Sequence, residues 1–276
     1  MNHSPILVLG ATGKTGRRIV QRLSEKGHAV QKGSRQSDPP FDWDDQSTWN
    51  AVLDGVTAAY ISYAPDLAIP GATNAIRAFV ERAVEHGVLR LVLLSGRGEE
   101  EAQQCERIVQ GAGVEWTVVR ASWFNQNFSE GEFLDMVLAG EITLPAGDIG
   151  EPFIDADDIA DVAVAALTED GHDGEIYELT GPRLLTFTDA VAEIARAAGR
   201  EIRYIQIPHE AFSAGIAESG APDDIAWLLD YLFSTVLDGR NAHVCDGVSR
   251  ALGREPTEFA EYAQRIAATG VWNVSS

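Results

Sequence analysis

An α/β fold built on a doubly wound parallel sheet, with a small and mainly helical C-terminal lobe, is predicted by three observations. Short apolar runs alternate with segments of helical periodicity through the first two thirds of the chain. Those runs are continuous rather than alternating, as strands must be when helices cover both faces of their sheet. The first run ends at a glycine and passes straight into a glycine-spaced turn and a helix.

The elements follow from this pattern in order. Ile6 to Leu9 is a four-residue apolar run, read as a strand ending at Gly10; Ile19, Val20 and Leu23 then recur at helical spacing up to Gly27, a good C-terminal stop. Residues 28–34 give a second strand with a polar tip, Ser34-Arg35. Residues 58–62 give a third, and Ile76, Phe79, Val80, Ala83 and Val84 mark a helix closed by His86, a favourable cation at a helix C-terminus, and Gly87. Residues 89–94 form a buried strand. Residues 99–110 read as a helix opened by three carboxylates, which suit the positive end of its dipole, and 115–119 as the next strand. After Arg120 aromatics and glycines loosen the pattern. A helix is expected at 157–169, another from the capping box Thr186-Phe187-Thr188-Asp189 to Ala198, a short strand at 202–207, and helices thereafter.

The chain has 276 residues, 45% of them hydrophobic and 23% charged, enough to bury a full core. Its 42 acidic against 21 basic residues give a formal charge of -21, which disfavours a phosphate backbone as partner, so no nucleic acid is expected. No apolar run approaches the roughly 18 residues of a membrane span, and Met1-Asn2-His3-Ser4-Pro5 leads into a strand rather than a signal peptide, so the expected location is cytoplasmic. Cys105 and Cys245 belong to no metal or redox motif and read as reduced packing residues. The six histidines lack metal-ligand spacing. Asp155, Asp157 and Asp158, at the start of a helix, read as capping groups, so no metal is expected.

The segment ILVLGATGKTG carries two nucleotide signatures. Gly13-Lys14-Thr15 is the ending of a P-loop, but that loop needs a glycine five residues before Gly13, and the position is Val8, inside the strand. Gly10, Gly13 and Gly16 instead fall where a dinucleotide turn needs them: at the strand end, at the approach to the pyrophosphate, and where helix and sheet pack closely. The tip of the second strand offers Ser34 and Arg35 with no carboxylate, and Lys14 projects nearby. A 2'-phosphate wants cations and donors, so NADPH is expected over NADH. The dinucleotide-binding domain is placed at 1–150, also receiving 151–180, with 181–276 as a substrate-covering lobe that does not fold alone.

These residues resemble the NmrA-like, atypical short-chain dehydrogenases. Within that group GSRQS followed by FDW, AAYISYAPDLAIP, LVLLSG, ASWFNQNF, PFIDADDIADVAVAAL and YELTGPRLLTF are similar to ergot-alkaloid reductases of the festuclavine and agroclavine synthase type. The resemblance runs from the N-terminus to about Phe212. It implies a Rossmann-type sheet with phosphates held by Gly10, Thr12, Gly13, Lys14 and Thr15, and the adenosine ribose by Ser34 and Arg35. It places Asp42 and Trp43 beside the adenine, with Ser62, Tyr63, Ala64, Pro65, Ser95 and Gly96 along the rest of the cofactor. Trp123, Phe124 and Asn125 would flank the nicotinamide and a small-molecule substrate. For Phe128, packing of the small lobe stands beside a substrate role.

Short-chain dehydrogenases commonly use a tyrosine with a lysine four residues on. None of the six tyrosines here has one, and no lysine follows Lys32. Two readings remain. An iminium, quinone, dye or conjugated enone is electron-poor enough to take hydride with at most a proton from water, Ser95 or Tyr63, which makes the chain a reductase. Alternatively the chain binds NAD(P)H without turnover and reports redox state to a regulatory protein partner. Homo-oligomerisation is left open.

Overall fold

In the computed structural model, which describes residues 4–131 and 133–274, the run Ile6–Leu9 forms β1 with all four side chains buried. Met1, Asn2 and His3, read as the lead into this strand, lie outside the described residues. There follow α1 (Gly16–Glu25), β2 (Val30–Gly33), α2 (Trp49–Leu53), β3 (Ala58–Ile61), α3 (Ala72–Glu85), β4 (Arg90–Gly96), α4 (Glu100–Gln110) and β5 (Glu115–Ala121). Next come α5 (Asn127–Glu130), α6 (Leu134–Ala139), β6 (Glu141–Leu144), α7 (Ala156–Thr168), β7 (Glu175–Leu179), α8 (Phe187–Ala198) and β8 (Arg203–Gln206). The chain ends with α9 (His209–Ser219), α10 (Asp223–Tyr231) extended by a π turn (Leu232–Val236), α11 (Gly247–Leu252) and α12 (Phe259–Ala267). Among the described residues no helix is long and apolar enough to cross a membrane.

The described residues form two compact units. The first comprises the chain up to Ala121, Ala156–Leu179 and Asp246–Arg254. It holds a six-stranded parallel sheet in the order β2-β1-β3-β4-β5-β7. Successive side chains on a strand point to opposite faces, so the continuous apolar runs fill two cores. Leu7, Leu9, Ala59, Ile61, Leu91 and Leu93 pack with Trp49 and Leu53 of α2, Ile76 and Phe79 of α3, and Cys105 and Val109 of α4. Val8, Tyr60 and Val92, at the alternate positions, are also fully buried, and α1 and α7 pack on the sheet. The chain leaves β1 for β2 on one side and returns to the other side for β3, so the strand order reverses between β1 and β3. In open α/β sheets ligands bind outside the carboxyl ends of the strands at such a reversal.

The second unit comprises Ser122–Asp155, Thr180–Cys245 and the chain from Glu255. Its core is aromatic: Phe128, Phe133, Phe153, Phe187, Phe233, Phe259, Tyr262 and Trp272 cluster with Val137, Ile142 and Ile194. β6 and β8 pair in parallel beside it, from Glu141 opposite Arg203 to Leu144 opposite Gln206. α8 begins with the expected capping box, Thr186 accepting from the Asp189 amide while Asp189 accepts from the Thr186 amide.

This division differs from the boundary expected at 180. Ser122–Asp155 belongs to the second unit because Phe128, Phe133 and Phe153 lie against Phe187, and Phe128 and Phe153 against Phe259. Asp246–Arg254 belongs to the first because α11 packs on α7 and β7.

Candidate dinucleotide and substrate site

Gly10 closes β1 with φ +66°, a left-handed conformation costly to any residue with a Cβ. A Cβ on Gly10 would also press to 3.3 Å from Ser62 Cβ and Oγ, at the end of β3. The Gly13 amide donates to the Gly10 carbonyl at 2.8 Å, tightening the turn. At Gly16 a Cβ would lie 2.0 Å from the Gly10 carbonyl oxygen, so only glycine lets the first turn of α1 come this close to the strand end. Thr12 and Gly13 are exposed there. The start of a helix carries unsatisfied amides and positive partial charge, which fits a pyrophosphate. The Lys14 carbonyl accepts from Arg18 at 2.7 Å. Thr15 departs from its expected role: it is buried and its hydroxyl accepts from Tyr60 at 2.9 Å, so that side chain braces the interior instead of meeting a phosphate.

The tip of β2 adjoins this turn, with the Ala11 amide donating to the Gly33 carbonyl at 3.3 Å. Arg35 is exposed, and Ser34 shares a 2.7 Å hydroxyl hydrogen bond with Ser37. The Ser34 carbonyl accepts from Phe41, whose ring meets Trp43 edge-on at 5.0 Å. Trp43 Nε1 donates to the Ser62 carbonyl at 3.2 Å, and its ring sits 4.9 Å from Tyr63. Asp42 shapes its own loop: its carbonyl accepts from Trp49 Nε1 and its carboxylate from the Asp44 amide. Gly10, Trp43, Ser62 and Tyr63 thus form one continuous wall at the strand reversal, followed by exposed Ala64 and Pro65. Burial, then the Asp44 carboxylate, raises the Tyr63 phenol above its ordinary range, so Tyr63 keeps its proton at neutral pH.

At the end of β4 the structure corrects one expectation and adds residues the sequence reading passed over. Ser95, expected as a proton donor, is buried and donates to Glu106 Oε1 at 2.6 Å. Arg120 grips the same carboxylate at 2.5 and 2.9 Å and reaches Glu178 at 2.5 Å. The hydrogen bond to Glu106, outweighing burial, raises Arg120, so it stays charged; Ser95 is a strut in this ion network, its proton held inward. The Glu99 carboxyl fills the space beside Gly96: a Cβ there would fall 2.0 Å from a Glu99 carboxylate oxygen, so a side chain at 96 would have to displace it. Glu99 precedes α4 but makes no cap hydrogen bond. Its side chain turns into the interior, 6% exposed, where it feels the charge of Asp66 in the loop after β3. Burial first, and the Asp66 charge second, hold Glu99 well above the usual carboxylate range, while burial also raises Asp66. In sequence Glu99 is indistinguishable from Glu100 and Glu101 as a helix-opening acid; only the adjacent Gly96 hints that something presses close.

In the second unit, Trp123 is half-buried, its ring stacked on Phe133 at 6.3 Å and tilted against Phe233 at 5.1 Å. The Phe124 and Ile154 backbones bridge, and the Asn125 amide donates to the Ile154 carbonyl at 2.8 Å. Asn125 itself is fully buried, and neither its side-chain oxygen nor its nitrogen has a hydrogen-bond partner. Phe128 resolves toward packing: it is fully buried among Phe133, Phe153, Phe187 and Phe259, and its carbonyl accepts from Trp272 Nε1 at 2.8 Å. The acidic group at the start of α7 is met by arginines within each unit. Asp155 pairs with Arg265 at 2.5 Å, Asp157 with Arg22 at 2.7 Å, and Asp158 with Arg254 at 2.7 Å.

Comparison with known proteins identifies the family. Residues 10–170 match the NAD(P)H-binding family model, and residues 99–263 match the NmrA-like family. Agroclavine dehydrogenase of Claviceps fusiformis is 34% identical, covering 93% of this chain and 95% of the relative. An uncharacterized oxidoreductase of Bacillus subtilis is 32% identical and covers 99% of each chain. Among solved structures, the Escherichia coli NADPH-dependent quinone oxidoreductase complexed with NADPH superposes with a TM-score of 0.79 over 95% of this chain and 99% of that one, at 22% identity. That structure shares the fold, and the family models and sequence relatives show the kinship: the chain belongs to the NmrA-like, NAD(P)H-binding family of oxidoreductases.

Proposed function

We propose that the chain is a cytoplasmic, NADPH-preferring reductase that passes hydride to an electron-poor small molecule such as an iminium, quinone or enone. The observation that carries the reading is the glycine turn packed on α1 at the strand reversal, with Arg35 exposed at the adjoining tip of β2 and no carboxylate between Gly33 and Gln36. Gly10, Thr12, Gly13 and Lys14 would hold the pyrophosphate, with Gly16 permitting the close approach. Ser34 and Arg35 would take the 2'-phosphate, Asp42 and Trp43 the adenine, and Ser62, Tyr63, Ala64, Pro65 and Gly96 the remaining length. The cofactor supplies hydride when bound. Trp123, Phe124 and Asn125 would orient the acceptor, the buried and unpartnered Asn125 amide suiting a carbonyl or carboxamide.

The tyrosine–lysine pair has no counterpart in this reading. Tyr60, Tyr177, Tyr204 and Tyr262 commit their hydroxyls to Thr15, His172, the Ala146 carbonyl and Ser129. Electron-poor acceptors tolerate that, and the name of the E. coli protein gives a quinone as the acceptor of that protein. One observation favours the competing reading of a redox sensor without turnover: the Ser95 hydroxyl is held inward by Glu106.

The test is NADPH oxidation against a panel of iminium, quinone, enone and aldehyde acceptors, with cofactor affinities by titration. We expect turnover with at least one acceptor and tighter binding of NADPH than NADH. Arg35→Glu should weaken NADPH binding roughly tenfold or more, the scale of a lost charge-assisted hydrogen bond, and leave NADH little changed. Equal affinities in the wild type would remove the 2'-phosphate assignment. Silence across the panel, with a partner captured only in the presence of cofactor, would favour the sensor.

A further inference from the structure

The reductase reading leaves one chemical gap: neutral acceptors need a proton as well as a hydride, Ser95 does not present one, and burial and the Asp44 charge make the Tyr63 phenol a weaker acid than usual. The loops that leave the carboxyl ends of β3 and β4 carry Asp66 and Glu99, on the same edge of the sheet as the glycine turn. Glu99 is buried, no arginine, lysine or histidine among the described residues pairs with it, and a carboxyl so placed keeps its proton instead of its charge. Its Oε2 is buried without a hydrogen-bond partner. Asp66 is fixed in turn, its Oδ1 accepting from the Ala68 amide at 2.8 Å. Gly96 is hollowed out to make room for the Glu99 carboxyl, which occupies the space a side chain at 96 would fill. Strand order therefore sets a buried proton at the edge where the cofactor is expected.

We propose that Glu99 is the proton donor of the reduction, recharged through Asp66. This rests on the reductase reading. A neutral imine or enone gains hydride at carbon from the reduced cofactor, which is thereby oxidised by two electrons. The acceptor's π pair moves onto nitrogen or oxygen, which takes the Glu99 proton, directly or as the charge-neutral end of a conjugated system. Glu99 is left as a carboxylate beside Asp66 and regains its proton from water. The charged groups facing Glu99 are Asp66 from the loop after β3 and Glu101 and Glu106 from α4, all acidic, with Glu106 answered by Arg120. Each disfavours the carboxylate and returns Glu99 to its acid form.

The discriminating experiment compares a neutral cyclic imine with its N-methyl iminium salt, assayed above the pKa of the protonated imine. The iminium needs hydride alone; the imine needs hydride and a proton. Glu99→Gln keeps the shape. It should slow imine reduction by about a hundredfold, the scale of a general acid, and leave iminium reduction within a few-fold of wild type. Independently of turnover, the infrared spectrum of the wild-type protein at pH 7 should show the carbonyl band of a buried, protonated carboxyl, absent from Glu99→Gln. Equal rates for wild type and variant on both acceptors, equal losses on both, or no protonated-carboxyl band would each overturn the donor role. If the wild type reduces neither acceptor and nothing else on the panel, the reductase reading falls and the donor role with it. A wild type that turns over while the variant is indifferent removes the donor role alone.

Discussion

At Gly16 one hydrogen atom in place of a methyl decides the geometry of the cofactor turn. The Gly10 carbonyl occupies the space a Cβ would need, and the two glycines are a single packing unit six residues apart in sequence. Glu99 and Gly96 repeat the device at the next strand end, this time with a carboxyl filling the space. The Glu99 carboxyl also has a thermodynamic signature. Its folded-state pKa is raised above the unfolded value, so between the two the folded protein holds a proton that the unfolded chain has lost. Stability supplied by this group is complete below the unfolded pKa, about 4.3, and declines as pH rises through the folded value. Groups such as Asp189, lowered by its hydrogen bonds with Thr186, slope the other way, so the contribution is isolated by difference. We predict that Glu99→Gln gains stability relative to wild type as pH rises from 4 to 8, read from urea midpoints at each pH. A constant difference across that range would show that Glu99 titrates as an ordinary carboxylate.

Among elements, those with one-sided chemistry were legible and those with mixed chemistry were not. β1, β3 and β4 announce themselves as unbroken apolar runs because helices cover both their faces. β7 reads EIYEL, its apolar run broken by Glu175 and Glu178, and lies at the edge of the sheet where one neighbour is missing; β6 is four residues in a two-stranded pair. Neither is the continuous apolar run that marks a central strand, and the four residues of β6 are too few for their alternation to stand out. The false P-loop ending was exposed by Val8 alone, a residue whose place inside β1 is confirmed by its pairing with Lys32 and Tyr60. Of the site, the glycine turn and the β2 tip were readable from spacing, whereas the direction of the Thr15, Ser95 and Glu99 side chains depends on tertiary neighbours far away in sequence. The capping box of α8 was readable because it is entirely local. Thr186→Ala should remove the acceptor for the Asp189 amide and cost about 1 kcal/mol. Thermal denaturation should show this as a drop of roughly 2–4 °C, and an unchanged midpoint would mean the helix start is held by the packing of Phe187 instead.

The whole molecule is not divided where its chain would be cut most simply. The sheet unit takes back Asp246–Arg254 after the chain has built much of the second unit, and that return carries energetic weight. Gly247 sits so close to β7 that a Cβ would lie 2.2 Å from the Glu178 carbonyl oxygen. Arg250 pairs with Glu175 and lies over the Tyr177 ring at 5.3 Å. Arg254 reaches Asp158 at 2.7 Å and Asp161 at 2.6 Å, and Asp158 is buried. A fragment ending at residue 180 would lose α11 from the faces of α7 and β7 and take from Asp158 its arginine, a loss on the order of 1–3 kcal/mol since Asp158 is buried while Arg254 is 41% exposed. The same cut would leave Phe128, Phe133 and Phe153 without Phe187 and Phe259. Against a total stability of about 5–15 kcal/mol, these losses are decisive. We therefore predict that residues 1–180 expressed alone show no cooperative thermal transition by circular dichroism, while the full chain does. A fragment that melts cooperatively would show instead that the sheet and α1–α4 suffice for folding, and that α11 serves only to seal an edge already formed.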